Sequence, residues 1–136
     1  MRLLGIDYGM KRIGIALSDP SGTMAHPMET IPVRPDGSHI EAIGEIIRTY
    51  DVEKLVVGLP YNMDGTLGPA GEAVLAWGES LAKTLGLPVD FWDERLTTSE
   101  AHEFLIHLKV KGKKRKGIVD KIAAGIILKD YMEANK

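Results

Sequence analysis

The chain has 136 residues, 44% hydrophobic and 26% charged, which is ordinary globular composition and argues against a disordered or collagen-like polymer. No apolar run approaches the ~20 residues that span a bilayer and no signal-peptide pattern opens the chain, so one domain over residues 1–136 in the cytoplasm is expected. Cysteine is absent, which excludes disulfides, thiolate metal sites and cysteine nucleophiles, and leaves oxygen or imidazole as metal ligands.

Taken in chain order, Arg2 to Tyr8 and Arg12 to Ser18 are two short apolar runs separated by Gly9, Met10 and Lys11, the pattern of an antiparallel hairpin. Met24 to Val33 is a third strand; Pro27 and Pro32 suit an edge position. Ser38 and Glu41 have capping-box spacing, followed by Ile40, Ile43 and Ile47 at helical intervals up to Tyr50. Lys54 to Gly58 is a short β-branched strand ending in Gly58-Leu59-Pro60. Pro69 can start the next helix and Gly86 can end it, with Val74, Trp77, Leu81 and Leu85 along one stripe. Pro88 to Trp92 is a fifth strand. Thr97 and Glu100 repeat the capping-box spacing ahead of a helix lined by Ala101, Phe104 and Leu108. Ile118, Ile122, Ala123, Ile126 and Ile127 mark a final, broadly apolar helix.

Three strands in succession favour antiparallel pairing, and the later alternation of helix and strand demands parallel strands with helical crossovers. The expected fold is α/β, a mixed five-stranded sheet flanked by helices. In such sheets chemistry gathers outside the carboxyl ends of the parallel strands.

Three groups of acids bear on that edge. Asp7 ends the first strand in Gly5-Ile6-Asp7-Tyr8-Gly9, although Asp-x-Gly is also a common turn sequence. Asp93 and Glu94 end the last strand, and strand alternation sends only one of them toward Asp7. Asp120 falls in the first turn of the final helix, where the helix dipole alone would favour a carboxylate. Asp130 lies about 15 Å further along that helix and is read as a surface acid. Asp64, followed by Gly65, suits a turn. Convergent carboxylates repel one another unless hard cations sit among them, which suits Mg2+ or Mn2+, and two such ions promote phosphodiester hydrolysis.

The net charge of −2 conceals a strong asymmetry. Lys109 to Lys116 reads KVKGKKRK, and its +6 leaves the other 128 residues at −8. A charge run by itself is more often a solvated loop, but this one leads straight into the helix bearing Asp120, where a phosphate clamp would adjoin an acidic centre. Its dense like charge and Gly112 favour an extended chain that orders on a polyanion. The histidines add little: His102 and His107 are poorly spaced for one helix face, and His26 and His39 are assigned to loops. Trp77 is assigned to packing, and Tyr8 either fills space or stacks on a base.

Gly5-Ile6-Asp7-Tyr8-Gly9 with Lys11-Arg12-Ile13-Gly14, Val57-Gly58-Leu59-Pro60 with Asn62-Met63-Asp64-Gly65, Asp93-Glu94-Arg95-Leu96-Thr97 and Asp120-Lys121-Ile122-Ala123-Ala124 together resemble the YqgF/RuvX family. These are bacterial RNase H-like proteins described as pre-16S rRNA nucleases and earlier as Holliday junction resolvases. The blocks follow family order over nearly the whole chain. The resemblance implies an RNase H-like fold and divalent-metal phosphodiester hydrolysis, with Asp7, Glu94 and Asp120 as catalytic acids and metal ligands; it selects Glu94 over Asp93. Met10 stands where the family would have a small hydroxyl residue. The nucleic-acid contacts expected are Lys11, Arg12, Arg95, Lys111, Lys113, Lys114, Arg115 and Lys116. The leading expectation is an endonuclease that processes the 5′ end of precursor 16S rRNA. Its rivals are a junction-resolving DNA endonuclease, which needs a two-fold dimer for symmetric cuts, and a non-catalytic nucleic-acid-binding module. A monomer and a homodimer both remain open, and no membrane partner is expected.

Overall fold

A computed structural model describes residues 1–96 and 116–136. Strands β1 (Leu3–Tyr8), β2 (Arg12–Ser18) and β3 (Ala25–Pro32) form an antiparallel meander. Helix α1 (Ser38–Tyr50) crosses to β4 (Lys54–Leu59), and α2 (Pro69–Leu85) crosses to β5 (Val89–Asp93), so that β4 and β5 run parallel to β1. The order across the sheet is β3-β2-β1-β4-β5. Glu94–Leu96 forms one 3-10 turn, and α3 (Lys116–Ala134) follows. This is the expected mixed, RNase H-like sheet. Pro27 and Pro32 do lie on an edge strand, where a missing N–H breaks no interior ladder.

Strand alternation separates two cores. Leu4, Ile6, Ile13, Ile15, Leu55 and Val57 point toward α1 and α2 and pack with Ile43, Ile46, Val74 and Leu81. Leu3, Ala16 and Val56 point to the other face, which α3 covers with Ala124, Ile127, Leu128, Tyr131 and Met132. Because both faces of β1 and β4 are buried, these strands read as continuous apolar runs. Trp77 is half-buried and stacks on Tyr8 with ring centroids 4.2 Å apart, so both aromatics serve packing.

Several local expectations are corrected. Ser38 is not the cap of α1: Gly37 is, with a left-handed backbone (φ 76°) and no side-chain capping bond, and the Ser38 N–H donates to Asp36 Oδ1 at 3.0 Å. The preceding turn presents Asp36 to the helix start, which displaces Ser38 into the first helical position. His26 lies in β3 and His39 in α1, not in loops. Helix α3 docks by a face rotated from the one expected: Ile118 is 44% exposed, while Val119, Ala124, Leu128 and Tyr131 are buried. The helix is apolar over most of its circumference, so periodicity could not choose the face. The sheet chooses it through glycines: a Cβ on Gly5 would lie 2.9 Å from the Ala124 carbonyl oxygen, and one on Gly58 2.5 Å from Ile127 Cδ1. Asp120 stands beyond the first turn of α3, which already includes Lys116, so a helix-terminal role does not account for it. The helix expected over Thr97 to Leu108, the pair His102 and His107, and Lys109 to Arg115 of the basic run lie outside the described residues. Among the described residues no helix is long and apolar enough to cross a membrane.

Candidate active site

The site is built on one row of residues at the carboxyl edge of β1 and β4. Asp7 pairs with Gly14 across the antiparallel hairpin, so both project toward α3. On the other side the Ile6–Val57 register places Gly58 beside Asp7, on the same face. Gly14, Asp7 and Gly58 thus form a row with about 4.8 Å between strands. The two glycines make room for the other acids. A Cβ at Gly14 would fall 1.9 Å from the Asp120 carbonyl oxygen, and one at Gly58 would fall 3.1 Å from Glu94 Oε1. Backbone contact therefore brings Asp120 over one side of Asp7, and the glycine gap brings Glu94 over the other.

Asp93 and Glu94 part as alternation requires. Asp93 is paired in register with Leu59, on the α1–α2 side, while Glu94 reaches over Gly58 on the α3 side. Asp93 forms a salt bridge to Arg95, with Arg95 Nη2 2.7 Å from Oδ2, and also accepts the Arg95 backbone N–H. The Arg95 guanidinium is the main reason the Asp93 carboxyl is held below the usual carboxylate range. Arg95 also lies 5.2 Å from the centre of the Tyr61 ring, so this expected phosphate contact is engaged within the protein. Asp64 forms the expected turn: its Oδ1 accepts from the Thr66 hydroxyl at 2.6 Å and the Thr66 N–H at 2.9 Å, which lower its pKa.

The feature that sequence reasoning missed is the partner of Asp120. Arg12, the first residue of β2, donates from Nε to Asp120 Oδ2 at 2.7 Å. The two residues are 108 positions apart, and no local pattern in one sequence signals their pairing. Among the remaining expected contacts, Lys11 is exposed beside Met10, itself 89% exposed, on the β1–β2 turn. Asp130 is not a plain surface acid. Its Oδ2 is shielded from solvent with no hydrogen-bond partner among the described residues, and burial pushes its carboxyl pKa up.

The donor chemistry at the row is carboxylate oxygen from β1, the end of β5 and α3, which suits a hard divalent cation in kind. Among the described residues no three acids or histidines are gathered tightly enough to hold an ion outright. Asp120 is instead committed to Arg12.

The comparisons agree with this architecture. A family model described as "RuvX: Holliday junction resolvase" matches residues 1–134. A protein of Caldanaerobacter subterraneus subsp. tengcongensis named "Putative pre-16S rRNA nuclease" is 50% identical, covering 100% of this chain and 99% of its own. A Bacillus cereus protein with the same name is 45% identical over 98% of this chain and 99% of its own. Among solved structures, Thermus thermophilus RuvC in complex with a Holliday junction substrate superposes with a TM-score of 0.63 at 15% identity, covering 99% of this chain and 95% of that one. The fowlpox virus Holliday junction resolvase gives 0.56 at 10% identity over the full length of both chains. Structural likeness at such identity speaks for the fold, whereas the match over residues 1–134 and half-identity to a full-length relative establish that the chain belongs to the RuvX family.

Proposed function

We propose that this chain is a metal-dependent endonuclease of the bacterial cytoplasm, one domain over residues 1–136, that cleaves phosphodiester bonds in precursor 16S rRNA near the 5′ end of the mature molecule. The observation that carries the reading is the row at the sheet edge, where glycines let Glu94 and Asp120 close in on either side of Asp7. Asp7, Glu94 and Asp120 would hold Mg2+ or Mn2+, in a pair of ions. So held, such ions activate a water for attack at phosphorus and stabilise the departing oxygen. The chain's own contribution is to fix the carboxylates on rigid elements and to lead the nucleic-acid backbone to them. Lys11 and the run Lys111, Lys113, Lys114, Arg115 and Lys116 are assigned to phosphate contacts. The RNA substrate is supported by the names of the full-length relatives.

A four-way DNA junction is the second reading, favoured by the description of the matching family. One preparation with Mn2+, offered precursor rRNA and a four-way DNA junction in parallel, tests both. Preferential cleavage of the precursor near the mature 5′ end is expected, and symmetric nicking of the junction would transfer the assignment. Binding without cleavage of either would leave a nucleic-acid-binding module. Replacement of Lys113, Lys114, Arg115 and Lys116 by Ala should flatten the salt dependence of RNA binding, each lost phosphate contact removing about 0.7 to 0.9 from the logarithmic slope.

A further inference from the structure

Asp120 has its place in the row fixed by the backbone. Its carbonyl group rests directly on Gly14 of β2, so the helix segment that carries it cannot sink further toward the sheet. What varies is the company its carboxylate keeps. In the free protein that company is Arg12 Nε, 2.7 Å from Oδ2, with the arginine side chain 36% exposed and the aspartate side chain 21% exposed. The arginine is thus the more accessible partner, and it follows directly on the exposed turn of Met10 and Lys11. Guanidinium stays charged at any working pH and binds phosphate with several donors at once. A phosphate arriving at this turn competes with Asp120 for Arg12, just as a cation competes with Arg12 for Asp120.

Building on the nuclease reading above, we propose that Arg12 is a positioning residue that couples the two events: it holds Asp120 while no nucleic acid is bound, passes to a backbone phosphate when one arrives, and so releases Asp120 to the cation. The cation site is then incomplete until substrate is present. The coupling is reciprocal, because anything that frees Arg12 from Asp120 favours phosphate and anything that frees Asp120 from Arg12 favours the cation. The bland alternative is a structural ion pair that only ties α3 to β2.

Two measurements without turnover separate these. First, Mn2+ binding to the RNA-free protein, followed by the electron paramagnetic resonance of free Mn2+, should tighten by about fivefold or more in Arg12→Ala and Arg12→Gln. Lys11→Ala, which removes the same charge one residue away, should change it by less than about twofold. Second, the affinity for a labelled RNA hairpin in EDTA should rise more in Asp120→Asn than in Asp7→Asn, since both remove one negative charge but only the first liberates Arg12. In an Arg12→Ala background that excess should vanish, as a double-mutant cycle requires. Equal Mn2+ affinity in the Arg12 and Lys11 variants, or equal RNA gains in the two aspartate variants, would overturn the coupling. The RNA arm carries the test if the Arg12 variants fold poorly, because Asp120→Asn and Asp7→Asn keep Arg12. Failure of the nuclease reading looks different: the wild-type chain with Mn2+ would then bind RNA yet cleave neither the precursor nor the junction.

Discussion

The two ends of α3 each bind the sheet through an acid and a base, with opposite outcomes. At the far end Lys54 of β4 lies 2.6 Å from Asp90 Oδ2 of β5, and the Tyr131 hydroxyl of α3 donates to the same carboxylate. Lys54 also sits 5.6 Å from the centre of the Tyr131 ring, and Trp92 packs against that ring edge-on. About 16 Å away along the helix, Asp120 meets Arg12 at 2.7 Å. Asp90 is an acid among donors, and its carboxyl is held below the ordinary range first by Lys54 and then by Tyr131. Asp120 shares its end of the sheet with two further acids, Asp7 and Glu94. The far cluster ties α3 to the edge strand of the sheet, whereas the Arg12–Asp120 pair stands beside the acids from which the proposed cation site would be built.

The sharpest way to break this contrast is Asp7→Asn, which preserves shape and removes the central charge of the row. Cleavage should fall by ~10^3 or more with the thermal midpoint nearly unchanged. Wild-type turnover in that variant would end the assignment of the carboxyl edge as the reactive one. Next in size is Gly14→Ala, which drives a methyl group into the Asp120 backbone and should cost about 3 kcal/mol in urea denaturation. A loss under about 1 kcal/mol would mean that α3 does not rest on β2 as described.

Glu94→Gln and Asp93→Asn test the split between the two faces of β5. The first should lower cleavage by ~10^2 or more, the second by less than about tenfold, because Asp93 serves Arg95 on the other side of the sheet. Equal losses would place Asp93 in the site as well. The smallest effect belongs to the far end. Asp90→Asn should leave cleavage untouched and cost about 1 kcal/mol, the modest figure reflecting a carboxylate side chain that is 44% exposed. Its sign with pH follows from the lowered pKa of Asp90. The wild-type contribution is complete above the ordinary value of 3.8 and is lost as pH falls from there through the lowered folded value. Acid unfolding curves of wild type and Asp90→Asn should therefore converge below pH 3.8. Curves that stay parallel would show that Lys54 and Tyr131 do not favour the ionised form.

The hairpin, the two crossovers and the bounds of α2 were legible in the sequence because each depends on neighbours a few residues apart. Gly9 makes a turn, Pro69 opens a helix, Gly86 closes it in a left-handed conformation, and alternating faces separate Asp93 from Glu94. Even the edge at which Asp7 and Glu94 meet follows from strand direction alone. What tertiary structure decided is everything that needed two distant segments at once. The docking face of α3 was set by gaps at Gly5, Gly14 and Gly58, since a helix apolar over most of its circumference has no preferred side of its own. The same docking carried Asp120 to Arg12 across 108 positions of chain, an attraction that depends on a separation in space and leaves no periodic trace in sequence.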